Sequence, residues 1–294
     1  MTRLPRFKRS SDIAPLRLTD RDGEILKCIH RHRFLRSDHV AALVNGSRQQ
    51  ILRRLQRLYH HGYLERPSCQ IDYYHSGSRR IAYGIGNKGA AWLKHELALP
   101  FNKLDWKQKS YVGRLFLEHA LMVSDIMVAI ELACRNRPDI RLLSVDDLKI
   151  PKMREPFQWQ VDIGQRQKIG VIPDRVFGLE YNGKQCWYCL EADRGTMPIT
   201  RGNFDQTSFQ RKLFAYEATW SQNLHRSLFG WQRFRVLTVT TSNQRVQGIK
   251  EACQALAHGR GLFLFLDAAI LAKHGDILRI PWQTCQSGAC EFLF

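Results

Sequence analysis

Apolar positions recur at helical spacing through the first sixty residues. Thr19 stands as an N-cap ahead of Asp20 and Asp22, acids placed well at the positive end of a helix dipole. Ile25, Leu26, Cys28 and Ile29 then form the buried stripe of a first helix. Ser37 heads a second helix with Val40, Ala41, Leu43 and Val44. Asn45-Gly46 is a turn, and Ser47 caps a third helix built on Ile51, Leu52, Leu55 and Leu58, which Gly62 ends. Beyond Gly62 the period shortens. Tyr63–Arg66, Gln70–His75 and Arg80–Ile85 are expected as strands, with Ser76-Gly77-Ser78 turning between the last two. A further helix begins at Ala90–Leu93.

The stretch Pro100–Ser110 is polar and aperiodic, which marks a boundary. Leu115–Cys134 is a long helix, followed by strand-like runs at Ile140–Ser144 and Leu148–Ile150. Val171–Tyr181 and Gln185–Glu191 flank Asn182-Gly183, a strong hairpin dipeptide. Helices at Phe209–Trp220 and Gln244–Ala257 alternate with strands at Phe234–Thr241 and Leu262–Leu266. The expectation is a mixed α/β protein: a basic flexible arm over 1–17, a winged helix-turn-helix over 18–99, a linker over 100–112, and a second α/β domain over 113–294. The apolar segment Pro281–Phe294 carries no functional signal.

Composition narrows the partners. The net charge is +18, and residues 1–100 hold 19 Lys and Arg against 8 Asp and Glu, a local net of +11. So strong a positive field attracts polyanions, of which nucleic acid is the commonest. Hydrophobic residues make up 44% of the chain, enough for a packed core. No apolar run approaches the roughly 18 residues that span a bilayer, so membrane insertion is not expected and the cytoplasm is. The eight cysteines are expected as free, buried thiols. Cys186-Trp-Tyr-Cys189 has the spacing of a zinc half-site, but in a strand those two positions face opposite sides.

The third helix presents Arg48, Gln49, Gln50, Arg53, Arg54 and Arg57 opposite its leucines. Such a face suits the major groove of double-stranded DNA, its N-terminal Arg and Gln reaching base edges and its later arginines reaching phosphates. Arg79 and Arg80 at the wing tip are placed for an adjacent phosphate.

Candidate chemistry lies further on. Glu191 and Asp193 are two apart on a strand, so they share a face roughly 7 Å apart along the chain. Asp174 heads the opposite strand of the hairpin and is expected beside them. Three converging carboxylates repel unless a cation joins them, and Mg²⁺ or Mn²⁺ is the cofactor such oxygen donors select.

Pro173-Asp174 followed by Glu191-Ala192-Asp193-Arg194-Gly195-Thr196 resembles the core of the PD-(D/E)XK nuclease superfamily. With a winged helix ahead of it, the chain is similar to the replication-relaxation proteins, and among them to MOBC-class plasmid relaxases. The resemblance runs from about Leu18 to Leu271. It implies a restriction-endonuclease-like second domain that nicks one strand at a plasmid or mobile-element transfer origin. Asp174, Glu191 and Asp193 would hold the metal, with relaxosome accessory and coupling proteins as partners. Position 193 is Asp where many such nucleases carry Lys. Lys212 on the following helix is the replacement cation, with Arg194 as runner-up, and Tyr216, Glu118 and His119 in supporting places. Among Tyr181, Tyr188 and Tyr216 the sequence elects no nucleophile, and His30, His32, His60 and His61 lack the spacing of a metal triad. Two other functions stay open: a DNA-binding regulator or relaxosome accessory protein with an inactive nuclease-like domain, and a restriction or transposition endonuclease.

Overall fold

A computed structural model describes residues 6–10, 12–74, 80–97, 113–148, 157–163, 168–203, 206–286 and 288–293. The chain is mixed α/β and divides into two compact units, Met1–Val128 and Ala129–Phe294.

In the first unit, helix α1 (Asp20–His32) starts where the acids require it. The Thr19 amide and hydroxyl both donate to Asp22 Oδ2 at 2.8 Å. Strand β1 (Leu35–Arg36), helix α2 (Ser37–Leu43) and helix α3 (Arg48–His60) follow. Strands β2 (Leu64–Glu65) and β3 (Ala82–Ile85) precede helix α4 (Asn87–Leu97). Strand β3 lies between β1 and β2, antiparallel to both.

The strand expected at Gln70–His75 is instead part of a 3-10 turn over Ser68–Tyr74. A side chain takes the place of the ladder there. The buried Gln70 amide donates to Ala82 O at 3.0 Å and accepts from Ala82 N at 2.8 Å. The two-residue β1 gave no period-2 signal because it is shorter than one full alternation.

Helix α5 (Arg114–Arg135) contains the division between units, whereas the sequence placed the boundary at 100–112, outside the described residues. Its first half packs in the first unit. Leu117 joins Phe34 and Ala82 in one cluster, Ser124 Oγ donates to Phe34 O at 2.6 Å, and Asp125 takes both Arg36 and His39.

The second unit is built on a seven-stranded sheet. Its strands are β4 (Ile140–Leu143), β7 (Arg175–Tyr181), β8 (Lys184–Asp193), β9 (Phe234–Thr240), β10 (Phe263–Asp267), β11 (Trp282–Thr284) and β12 (Cys290–Glu291), neighbours in that order. Strands β8, β9 and β10 run parallel; the other pairings are antiparallel. The β7–β8 turn has Asn182 at φ 49° and Gly183 at φ 73°, the conformation Asn-Gly accepts readily. A separate hairpin, β5 (Trp159–Asp162) with β6 (Lys168–Val171), ends before Pro173. The single strand expected over Val171–Tyr181 is therefore two, because proline has no N–H to give a ladder. The expected run Leu148–Ile150 is no strand at Leu148, which closes a 3-10 turn over Val145–Asp147; the rest lies outside the described residues.

Helices α6 (Phe209–Ser221), α7 (Leu224–Ser227), α8 (Asn243–Cys253) and α9 (Ala268–Lys273) complete the unit. One continuous core holds Trp187 and Cys189 of β8, Phe234 and Val236 of β9, Phe263 and Phe265 of β10, and the inner residues of α6 and α8. Trp159 of the small hairpin donates its indole N–H to Thr219 of α6 at 2.8 Å.

The cysteine expectation needs correction. Cys253 and Cys285 form a disulfide, with Cα atoms 6.3 Å apart. They are 32 residues apart in sequence, and only the tertiary fold lays α8 beside β11, where Gln254 Nε2 also donates to Cys285 O at 2.8 Å. The other six are free.

Gly89 lies in α4, where alanine would ordinarily strengthen a helix by about 1 kcal/mol. A Cβ there would sit 2.2 Å from Tyr63 O. Gly89→Ala is therefore expected to destabilise the first unit by about 1–3 kcal/mol. Urea unfolding checks this; an unchanged or raised midpoint would refute the close approach.

Candidate functional site

Two central parallel strands change character along one face. Strand β8 presents Trp187 and Cys189, then Glu191 and Asp193; β9 presents Phe234 and Val236, then Thr238 and Thr240. Parallel register sets Glu191 beside Thr238 and Asp193 beside Thr240. The apolar core under α6 and α8 thus turns polar at the carboxyl ends of the strands, where open α/β sheets commonly bind ligands.

Asp174 lies one residue before β7 and extends its pairing. Its amide donates to Leu190 O at 3.0 Å, and its Oδ2 accepts from Ala192 N at 2.8 Å. Glu191 is 2% exposed. Its Oε2 accepts from Lys212 Nζ and its Oε1 from the Tyr216 hydroxyl, each at 2.5 Å. Lys212 and Tyr216 stand four apart on α6, so one helix face supplies both donors.

Burial pushes the Glu191 carboxyl upward; Lys212 opposes this and the Asp174 charge adds to it. The net result is a carboxyl above its ordinary range. Burial pulls the Lys212 ammonium down, but the charges of Glu191 and Asp174 outweigh it and hold the proton more tightly than usual. Burial also drives the Tyr216 phenol far up, as does the neighbouring Glu191 charge. Buried and donating to Glu191, Tyr216 is a poor nucleophile. Tyr188 is likewise buried and donates to Leu293 O, while Tyr181 lies at the far end of β7.

Asp193 has a different employment from Glu191. Its two oxygens accept from Thr240 Oγ1 (2.7 Å), Arg245 Nε (2.7 Å), Arg245 Nη2 (3.1 Å) and Gly195 N (3.2 Å). Four donors on two oxygens saturate the carboxylate. Asp174 and Glu191 are electrostatically coupled with Lys212, while Asp193 is drawn into a fork with Arg245. Among the described residues, no group of three or more His, Cys, Asp and Glu side chains is gathered to hold a metal ion. Arg194 begins the loop after β8 and is half-buried. Glu118 pairs with Arg114, and it and His119 fall in the first unit.

Arg245, Thr240 and Thr238 escaped the sequence reasoning. One signal was present: Arg245 lies in the first turn of α8 behind the N-cap Ser242, where a cation opposes the helix dipole unless an acid meets it. Thr238 Oγ1 is buried and has no hydrogen-bond partner among the described residues.

In the first unit, Arg48, Gln49, Gln50 and Arg53 are exposed on the N-terminal half of α3. The C-terminal half is used internally. Arg54 forks onto the fully buried Asp22 and donates to Arg17 O at 3.2 Å; Arg57 donates to Pro15 O at 2.8 Å. His60 Nδ1 accepts from Ser10 N, and Arg9 donates to Tyr59 O at 3.0 Å. The described part of the arm expected to be flexible is therefore tied along α3. Arg80 is exposed and pairs with Asp38; Arg79 lies outside the described residues.

A family model described as replication-relaxation matches residues 26–229, more than two thirds of the chain. No curated protein and no solved structure matches it.

The Glu191–Lys212 pair makes a signed prediction. A carboxyl raised on folding binds its proton better in the folded chain, so its contribution to stability falls as pH rises from the ordinary to the folded value. Lys212→Met removes the charge that opposes this rise and leaves a buried carboxylate unbalanced. The expected loss at neutral pH is about 3 kcal/mol, the low end for buried pairs because Lys212 keeps 34% of its side chain exposed. The loss should shrink in mild acid, and Glu191→Gln/Lys212→Met should lack that pH dependence. Urea midpoints across pH test this; a loss independent of pH in the single variant would contradict it.

Proposed function

Because the chain belongs to the replication-relaxation family, we propose that it binds double-stranded plasmid DNA and nicks one strand at a transfer origin. The observation that carries this reading is the meeting of Asp174, Glu191 and Lys212 at one strand end. The order α5–β4–β7–β8–α6–β9, with an antiparallel meander and then a parallel strand, supports a restriction-endonuclease-like second unit. Three helices followed by a small antiparallel sheet support a winged helix in the first.

A divalent cation, Mg²⁺ or Mn²⁺, fits Asp174 and Glu191. Both are hard oxygen donors, and the charge of one raises the proton affinity of the other. Asp193 does not fit, since Arg245, Thr240 and Gly195 already use its oxygens. Mg²⁺ commonly takes only one or two carboxylates and completes its shell with water and substrate phosphate, so a three-ligand protein cage is not required. When bound, such an ion supplies positive charge against the oxyanion that develops as the phosphodiester is cut.

The chain's own residues divide the remaining work. Lys212 carries a firmly held positive charge beside the carboxylates, suited to a non-bridging phosphate oxygen. Tyr216 orients Glu191, and Asp174 is fixed through the Ala192 amide. In the first unit Arg48, Gln49, Gln50 and Arg53 are the groups left to meet DNA; Arg54 and Arg57 support α3 instead. Among the described residues no helix is long and apolar enough to cross a membrane.

A second reading has its own observation. The charges of Glu191 and Asp193 are already balanced by Lys212 and Arg245, as suits a relaxosome accessory or regulatory protein that binds DNA without cutting it. Supercoiled plasmid carrying the origin, incubated with Mg²⁺ or Mn²⁺, separates the two. Nicked circles are expected, and Asp174→Ala should abolish them while DNA affinity stays within about twofold. Linear product would indicate double-strand cleavage, and no product with either metal would leave the accessory role. Arg48→Ala or Arg53→Ala should weaken binding and, where a phosphate contact is lost, lower the log–log salt slope by about 1. Unchanged affinity and slope in both would remove α3 as the DNA-contacting face.

A further inference from the structure

We propose that Arg245 is a positioning residue for the acidic site, holding through Asp193 the loop that connects β8 to α6. Asp193 then serves as the acceptor of this latch, not as a cation ligand.

The latch has two ends. Toward β8, Arg245 forks onto Asp193, whose Oδ1 also accepts the Gly195 amide at 3.2 Å. Gly195 has φ 73°, a left-handed conformation that glycine adopts without penalty. Toward the loop, Arg245 Nη2 also donates to Met197 O at 2.5 Å. One guanidinium thus joins the end of a strand to a carbonyl four residues later. Its planar array of donors suits this task, and a lysine could not make all three bonds at once.

The loop then reaches the helix that carries Lys212. Phe209 N donates to Pro198 O at 2.9 Å and Gln210 N to Ile199 O at 2.8 Å, so the first turn of α6 hangs from residues 198 and 199. Ile199 is itself seated on α8: a Cβ at Gly248 would lie 2.7 Å from Ile199 Cδ1. Arg245 and Gly248, three apart on α8, therefore grip the loop at two points. The first turn of α6 is fixed by that loop, and Lys212 and Tyr216 follow on the same helix to meet Glu191. Displacing the loop moves those two donors together relative to β8.

This chemistry also accounts for the residue at position 193. A lysine there would face the Arg245 guanidinium and leave the Thr240 hydroxyl and the Gly195 amide without their acceptor. The aspartate and the arginine are a matched pair, and the site's working cation comes from α6.

The test is site-resolved amide hydrogen exchange on the full chain, comparing wild type with Arg245→Met, Arg245→Lys and Asp193→Asn. The expected result is exchange about tenfold faster at Gly195, Phe209 and Gln210 in Arg245→Met and Asp193→Asn. Amides of Cys189 and Val236 in the strands should hold their rates, and Arg245→Lys should fall between. Equal acceleration at all five amides in both non-lysine variants would mean a merely structural ion pair, and no acceleration at any would mean no latch; either overturns the proposal. Asp193→Asn keeps the shape of the side chain and serves if Arg245→Met does not fold. Only a final arm rests on the nicking reading: Arg245→Met should slow nicking about tenfold or more with DNA Kd unchanged. Absence of nicking in the wild type would count against that reading alone, while the exchange rates still decide the latch.

Discussion

The carboxylate of Glu191, buried at 2% exposure among apolar strands, constrains everything around it. An isolated charge in such a place is strongly unfavourable, so the fold must bring it a cation and a hydrogen bond. Lys212 and Tyr216 do so from one face of α6, which fixes the rotation of that helix over the sheet. The β8–α6 loop is then obliged to end where those two side chains reach β8, and Arg245 on α8 secures it. Aromatic packing supplies the rigidity behind this arrangement. Trp187 of β8 stacks on Trp231 with centroids 5.6 Å apart, and Trp159 meets Tyr216 edge-on at 6.2 Å.

A similar economy governs the first unit. Asp22 is fully buried and serves twice, capping α1 through Thr19 and receiving the Arg54 fork from α3. That pair sets α1 against α3 and commits an arginine that otherwise looks available for DNA. At the start of α2, Arg36 and His39 share Asp125 of α5. Burial raises the Asp125 carboxyl, but hydrogen bonds from His39 and Arg36 more than reverse this, leaving it below the ordinary range. The cationic surface left on α3 is its N-terminal half, the half suited to base edges.

Much of this was legible in the sequence. The caps Thr19 and Ser47, the stripes of α1 and α3, the Asn182-Gly183 hairpin and the α6–β9–α8–β10 alternation all follow local rules, and the structure has them. Lys212 and Tyr216 were picked out by their place on the helix after the acids, and both lie on Glu191. The failures share a different character. Gln70 replaces a strand with a side-chain pair to Ala82, Cys253 meets Cys285, and Asp193 finds Arg245 fifty-two residues away. Each depends on a partner distant in sequence, to which no periodicity points.

Local sequence alone determined where helices and strands begin, which faces are apolar, that the chain is strongly cationic, and that three acids cluster around a hairpin. These properties arise from contacts within a few residues, or from composition. Tertiary structure alone decided how each acid is used: Asp174 against a backbone amide, Glu191 against Lys212 and Tyr216, Asp193 against Arg245. The physical reason is that a carboxylate's role is set by which donors desolvation forces upon it. Those donors are chosen by the packing of α6 and α8 on the sheet, not by the neighbours of the acid in the chain.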